Sequence, residues 1–190
     1  MYWNKTIETM DPAQMRQLQE TRLCDLVKRL YSGSEFYRNR FQEQGILPED
    51  ITKLEDLAKL PFTVKQDLRD TYPYGMFAVP ASQIVRIHAS SGTTGKPIVV
   101  GYTKKDIGIW SEVMARAYTS AGINKHSVVQ IAYGYGLFTG GLGAHYGAET
   151  VGASVIQISV GSTNKQVALM CDVGTTAIAC TPSYALYIAE

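Results

Sequence analysis

Cysteine is scarce. Cys24, Cys171 and Cys180 are the three in 190 residues, and no two share C-x-x-C spacing. An odd, scattered set supports neither a disulfide framework nor a zinc site. At apolar-periodic or strand positions, all three read as buried thiols. Excess charge is also lacking: 18 Lys and Arg against 17 Asp and Glu leave a net charge of +1. There is no basic field to recruit nucleic acid and no acidic tail. No apolar run reaches the length of a bilayer span. The start, Met1-Tyr2-Trp3-Asn4-Lys5, lacks the apolar core of a signal peptide. The expectations are a cytoplasmic location, no nucleic-acid partner and no membrane partner. A hydrophobic fraction of 45% with 18% charge is ordinary for a globular core and argues against disorder.

The chain changes grammar once. Asp11-Pro12 is an N-cap followed by proline at the first helical position. Met15, Leu18, Leu23, Leu26, Val27 and Leu30 then recur at helical spacing until Ser32-Gly33. Shorter helices are expected over 35–44, around Leu54–Leu60 and around Thr63–Gln66. Tyr72-Pro73 through Val79-Pro80 reads as a proline-punctuated linker. Beyond it, strand and helix alternate. Strands are expected over 84–89, 98–103, 127–132, 154–158 and 176–180, and helices from about Thr103 to Gly122, up to Val151, over 164–171 and from Tyr184. Short apolar strands alternating with helices argue for a mainly parallel sheet. The expected fold class is α/β: an N-terminal helical segment, a β-hairpin, and a mainly parallel sheet with flanking helices. The expected division is 1–80, helical, and 81–190, α/β.

Between the strands at 84–89 and 98–103 lies Ser90-Ser91-Gly92-Thr93-Thr94-Gly95-Lys96-Pro97. It holds four hydroxyls, two glycines and a lysine, with no acidic or bulky apolar side chain. The glycines let successive N–H groups turn toward one point, the hydroxyls add donors, and the lysine adds a charge. A polyphosphate is the natural guest. This is not the P-loop of the NTPases, which needs G-x-x-x-x-G-K-[ST] between a strand and a helix. Here Pro97 stands where the Ser or Thr belongs, and a strand follows.

Gly134-Tyr135-Gly136-Leu137-Phe138-Thr139-Gly140 follows a strand and opens a helix. The spacing G-x-G-x-x-x-G is one residue too long for the dinucleotide fingerprint, and the next strand carries no acidic residue for a ribose. Tyr133, Tyr135 and Phe138 cluster at the carboxyl end of a strand, where open α/β sheets bind ligands. Gly140, Gly141 and Gly143 would let a flat, apolar ligand approach the helix backbone. His145 and Glu149 stand at i and i+4, but two ligands make no metal site. A packed or hydrogen-bonded histidine is expected, with no metal site in this chain.

The Ser90–Pro97 run resembles the phosphate-binding loop of the adenylate-forming superfamily residue for residue. Ile98 departs from it where many members carry a basic residue. Leu60-Pro61-Phe62-Thr63-Val64-Lys65-Gln66-Asp67-Leu68-Arg69, Tyr133 through Glu149, and Thr181-Pro182-Ser183-Tyr184 are similar to stretches of the phenylacetate–CoA ligases within it. That resemblance covers essentially the whole chain. It implies a two-step, ATP-dependent ligase with Mg2+ and coenzyme A, converting phenylacetate or a close arylacetate to its acyl-adenylate and then to the thioester. Ser90, Ser91, Gly92, Thr93, Thr94, Gly95 and Lys96 would bind phosphate, with Lys96 neutralising charge during catalysis. Tyr133, Phe138, Gly140, Gly141 and Ala144 would line the aryl pocket. The chain stops inside a helix just begun, so the resemblance implies the N-terminal portion of a longer enzyme. Its C-terminal portion would carry the adenine- and ribose-binding segments and a catalytic lysine. The 190 residues alone are expected to be inactive, and exposed sheet edges would favour a homodimer. Two rivals stand beside this: a superfamily ligase for another aryl acid, and a non-catalytic ligand-binding module.

Overall fold

The computed structural model describes residues 1–91 and 96–190. It forms two compact units, Thr9–Lys104, and Lys105–Glu190 together with Met1–Glu8. The change of grammar at residue 80 falls inside the first of these. In chain order the helices are α1 (Lys5–Glu8), α2 (Pro12–Gly33), α3 (Glu35–Glu43), α4 (Lys65–Asp70), α5 (Lys104–Ser120), α6 (Gly140–Val151), α7 (Thr163–Val173) and α8 (Pro182–Ala189). The strands are β1 (Ile84–Ala89), β2 (Val99–Thr103), β3 (Val128–Ile131), β4 (Ser154–Ile156) and β5 (Ala177–Ala179). The fold is α/β, with a helical start, an antiparallel hairpin and a parallel sheet.

In the unit Thr9–Lys104, α2 starts where its cap predicts. The Asp11 carboxylate accepts from the Ala13 N–H at 2.9 Å, satisfying one of the helix's unpaired donors. Leu23 and Val27 of α2 pack with Phe41, Ile46 and Ile51. The stretch at Leu54–Lys59 is a 3-10 helix. The Asp56 carboxylate accepts from the Thr52 and Lys53 N–H groups at 2.9 and 3.2 Å and pairs with Lys59 at 2.9 Å. These contacts, the Thr52 N–H foremost, hold the Asp56 carboxyl far below the usual carboxylate range. The proline-punctuated stretch is packed down. A Cβ on Gly33 would stand 2.3 Å from the Ala78 carbonyl oxygen, and only glycine permits that approach.

β1 and β2 pair antiparallel, with His88 opposite Val100 and Ala89 opposite Val99. The ladder extends one step further: Ser90 N–H donates to the Ile98 carbonyl at 3.0 Å. Gly101 accommodates the Phe77 ring, which lies 2.6 Å from where a Cβ would be.

In the other unit, the parallel sheet has the order β4-β3-β5. The β3 residues Val129, Gln130 and Ile131 are fully buried. α6 packs closely on α5 through its small residues: a Cβ on Gly147 would meet the Met114 Cβ at 2.3 Å, and one on Gly143 the Trp110 ring at 2.5 Å. Tyr118, Val129, Ile131, Ala144, Ala148 and Ala153 form the core. Burial, with smaller contributions from Tyr135 and Tyr133, pushes the Tyr118 phenol up to about 12. The expected strand over 154–158 ends at Ile156, because Ser159 adopts a left-handed φ of 66° and turns the chain away.

The cysteine expectation needs correction. Cys24 and Cys180 are half-buried and Cys171 is exposed. α7 turns Gln166 inward, and Cys171, five residues on, lies about 140° around the helix.

Gly147→Ala should lower stability by about 1–3 kcal/mol through overpacking against Met114. Gly108 of α5 has open space beside it, so Gly108→Ala should raise stability by about 0.5–1 kcal/mol. Urea unfolding midpoints at constant m-value read both.

Candidate functional site

The candidate phosphate loop opens from the end of the hairpin. Ser90 closes its mouth twice: its N–H donates to Ile98 O, and its Oγ accepts from the Ile98 N–H at 2.9 Å. The hydroxyl proton of Ser90 still has a direction in which to donate. Ser91 and Lys96 are both exposed. The Lys96 ammonium stands 5.5 Å from the centroid of the Tyr72 ring, a cation–π contact that holds the charge beside the loop mouth. Gly92, Thr93, Thr94 and Gly95 lie outside the described residues.

The second candidate region belongs to the unit Lys105–Glu190. From β3 the chain crosses to β4 on one side, and from β4 it passes back over β3 to β5 on the other, so the direction of connection reverses at β3. Such a reversal opens a crevice beyond the carboxyl ends of the strands. A cavity of about 510 Å3 occupies that place, within the range of small-molecule pockets. Ala132 and Tyr133 follow β3, Val160 and Gly161 follow β4, and Thr181, Ser183, Tyr184 and Tyr187 follow β5. The lining is mostly apolar, with three phenols and two aliphatic hydroxyls as its polar points.

Of the five residues expected to form an aryl pocket, Tyr133 lines this cavity. A Cβ on Gly140 would sit 3.6 Å from the Tyr133 ring and 3.7 Å from the Phe138 ring, so these three residues gather at the start of α6. Phe138 is two-thirds exposed. Gly141 lies beneath the turn, with the Gly134 carbonyl 2.5 Å from its Cβ position, and Ala144 is buried in the core beside Val129 and Ile131. Val160, Gly161 and Tyr187 carried no signal in the sequence, because they meet Tyr133 only after three separate strands have paired.

A chain of polar groups holds the turn to the helix. Tyr135 OH lies 3.3 Å from His145 Nδ1, and His145 Nε2 lies 3.0 Å from Glu149 Oε1. A carboxylate can only accept, so Nε2 carries a proton, and in the neutral form of the ring Nδ1 accepts from the phenol. The Tyr135 and His145 rings meet edge to face, with centroids 5.8 Å apart. Burial first, and then the Glu149 charge, pushes the Tyr135 phenol up to about 12, so it stays a donor. The histidine is hydrogen-bonded, as the sequence suggested. Among the described residues, no group of three His, Cys, Asp or Glu side chains gathers as metal ligands would.

Nitrogen-15 NMR should find the neutral form of His145 as the Nε2–H tautomer. A Nδ1–H tautomer would contradict this assignment.

No family model matches the sequence. The chain is 56% identical over 184 residues to the phenylacetate-coenzyme A ligase of Pseudomonas putida, covering 97% of the chain and 42% of that relative. It is 50% identical over 190 residues to that of Thermus thermophilus, covering all of the chain and 43% of the relative. With the Escherichia coli protein of the same name it shares 52% identity over 184 residues, covering 97% and 42%. A crystal structure of 2-hydroxyisobutyryl-CoA ligase with 2-HIB-AMP and CoA superimposes with a TM-score of 0.93 at 31% identity, covering all of this chain and 42% of the other. The open conformation of that ligase gives a TM-score of 0.91 at 30% identity, covering 100% and 45%. The chain thus spans about two-fifths of the length of these relatives.

Proposed function

We infer, for a chain that belongs in sequence and fold with the phenylacetate-coenzyme A ligases, that it supplies the phosphate-binding loop and the acid pocket of an ATP-dependent arylacetate–CoA ligase. The observation that carries this reading is the tyrosine-lined, mostly apolar cavity beyond the carboxyl ends of three parallel strands. An aryl ring suits such a cavity, because apolar walls reward burial and a few hydroxyls orient the guest.

In this reading, a carboxylate oxygen of the acid attacks the α-phosphorus of ATP. The bond between that phosphorus and its bridging oxygen to the β-phosphate breaks, and diphosphate leaves. The thiol of coenzyme A then attacks the acyl carbon, and AMP leaves with the thioester formed. The first step brings an anion to a polyanion, so charge neutralisation and positioning dominate its barrier. Ser90, Ser91, Thr93, Thr94 and the loop N–H groups would donate to the β- and γ-phosphates. Lys96 would leave the Tyr72 ring to screen the developing diphosphate. Tyr133, Phe138 and Gly140 would face the aryl ring, with Gly141 and Ala144 setting how closely α6 backs it. Magnesium is bound through one or two carboxylates besides phosphate, and the loop from Ser90 to Thr103 has none. The loop offers hydroxyls alone to that ion, and no step here is assigned to it. ATP and coenzyme A are cytoplasmic reagents, which places the reaction there. The chain contains no helix long and apolar enough to cross a membrane among the described residues.

The likeness to a 2-hydroxyisobutyryl-CoA ligase favours, as the second reading, a different carboxylic acid in the same cavity. Pyrophosphate exchange by the full-length protein with a panel of acids separates the two. Phenylacetate should support the fastest exchange, and a faster branched aliphatic acid selects the second reading. Absence of exchange with every acid selects a non-catalytic module.

Lys96→Ala should slow adenylation about 10- to 100-fold through loss of a charged hydrogen bond of about 1.5–3 kcal/mol. An unchanged single-turnover rate would remove Lys96 from the reaction. Tyr133→Ala should raise KM for phenylacetate about tenfold, equivalent to about 1.4 kcal/mol of lost contact, with KM for ATP unchanged.

A further inference from the structure

A buried amide pair lies behind the cavity. Gln130, in the middle of β3, is fully buried, and Gln166 of α7 is 1% exposed. An amide inside an apolar sheet is costly unless its groups are paired. Here the pairing is extensive. Gln130 Nε2 donates to Gln166 Oε1 at 2.7 Å and to the Gln166 carbonyl at 3.2 Å. Gln130 Oε1 accepts from Thr175 Oγ1 at 3.2 Å. Gln166 Nε2 donates outward, to the carbonyl of Ser159 at 2.8 Å.

Ser159 is the one non-glycine residue with positive φ among the described residues, at 66°. A side chain disfavours that conformation, which persists only where its surroundings hold it. The Ser159 N–H donates to the Ile131 carbonyl at 3.1 Å, and its carbonyl receives the Gln166 amide. Both backbone groups are therefore pinned. The next two residues, Val160 and Gly161, line the cavity, and Val160 is held 69% exposed. Two buried apolar side chains of the same volume would fill the core as well as the glutamines do. What they could not supply is a directed N–H for the Ser159 carbonyl.

We propose that Gln166 is a positioning residue for the cavity: through the Ser159 carbonyl it fixes the Ser159–Gly161 rim against which the acid is held. The part concerning the acid rests on the function proposed above. The part concerning the rim does not.

The test uses the full-length protein with Gln166→Met, which keeps the volume, and the same variant carrying Ser159→Gly. Glycine adopts positive φ without support, so it should restore the rim without restoring the bond. In Gln166→Met, amide exchange over 159–161 should quicken and KM for phenylacetate should rise, each about three- to tenfold. The kcat and KM for ATP should stay within about twofold. Adding Ser159→Gly should return KM to within about twofold of the original. Unchanged exchange over 159–161 would overturn the rim role. A fall in kcat at constant KM, or no rescue by glycine, would reduce Gln166 to core packing. If the unsubstituted protein fails to use arylacetates, the functional reading is lost, and the exchange rates still decide the rim.

Discussion

The central position of β3 is the constraint on which the Lys105–Glu190 unit depends. Its ladder groups are shared with β4 on one edge and β5 on the other, and Val129, Gln130 and Ile131 are wholly withdrawn from water. A strand so enclosed is covered on both faces and is mostly apolar. The small residues of α6 allow close covering, since Gly143 and Gly147 admit the Trp110 ring and the Met114 side chain where larger residues could not fit. Beyond Ile131 the chain leaves the sheet, and residues following all three strands meet around one cavity.

Gln130 is an exception within that constraint, a polar side chain at the most buried point of the sheet. Its hydrogen bonds turn it into a joint. Through Gln166, Ser159 and Thr175, one strand, one helix and two turns are held in register. Apolar packing is tolerant of small shifts, whereas a satisfied buried amide is directional and resists them. The Tyr135–His145–Glu149 chain does the same for the glycine-rich turn that precedes α6. Directional polar contacts thus hold two of the segments that surround or adjoin the cavity.

The hairpin works on a different principle. Its closure is local: Ser90 and Ile98 exchange backbone and side-chain bonds, and Lys96 rests over Tyr72. The hydroxyls, glycines and lysine of the Ser90–Pro97 run are consecutive in the sequence. The cavity's lining comes from three separated segments and an apolar surface. The two regions differ in chemistry, with donors and a cation in one and aromatic walls in the other.

Features made within a few residues were readable in advance. The α2 start at Asp11-Pro12, the alternation along Ile84–Ala89 and the glycine-rich turn before α6 depend on short-range stereochemistry, and local order carries that information. Strand ends were read one or two residues too long, as at Ile156, because the left-handed turn at Ser159 is held by Gln166, which packs there only after folding. Cys171 was misplaced for a related reason: apolar periodicity shows that a helix has a buried face, but neighbouring elements choose which residues occupy it. Tyr133 was legible as a pocket residue. Val160, Gly161 and Tyr187 were not, since their proximity follows from the order β4-β3-β5. Chain order thus settled the kind of elements, while strand pairing alone decided which distant side chains share a cavity, since hydrogen-bond partners across a sheet leave no trace in local spacing.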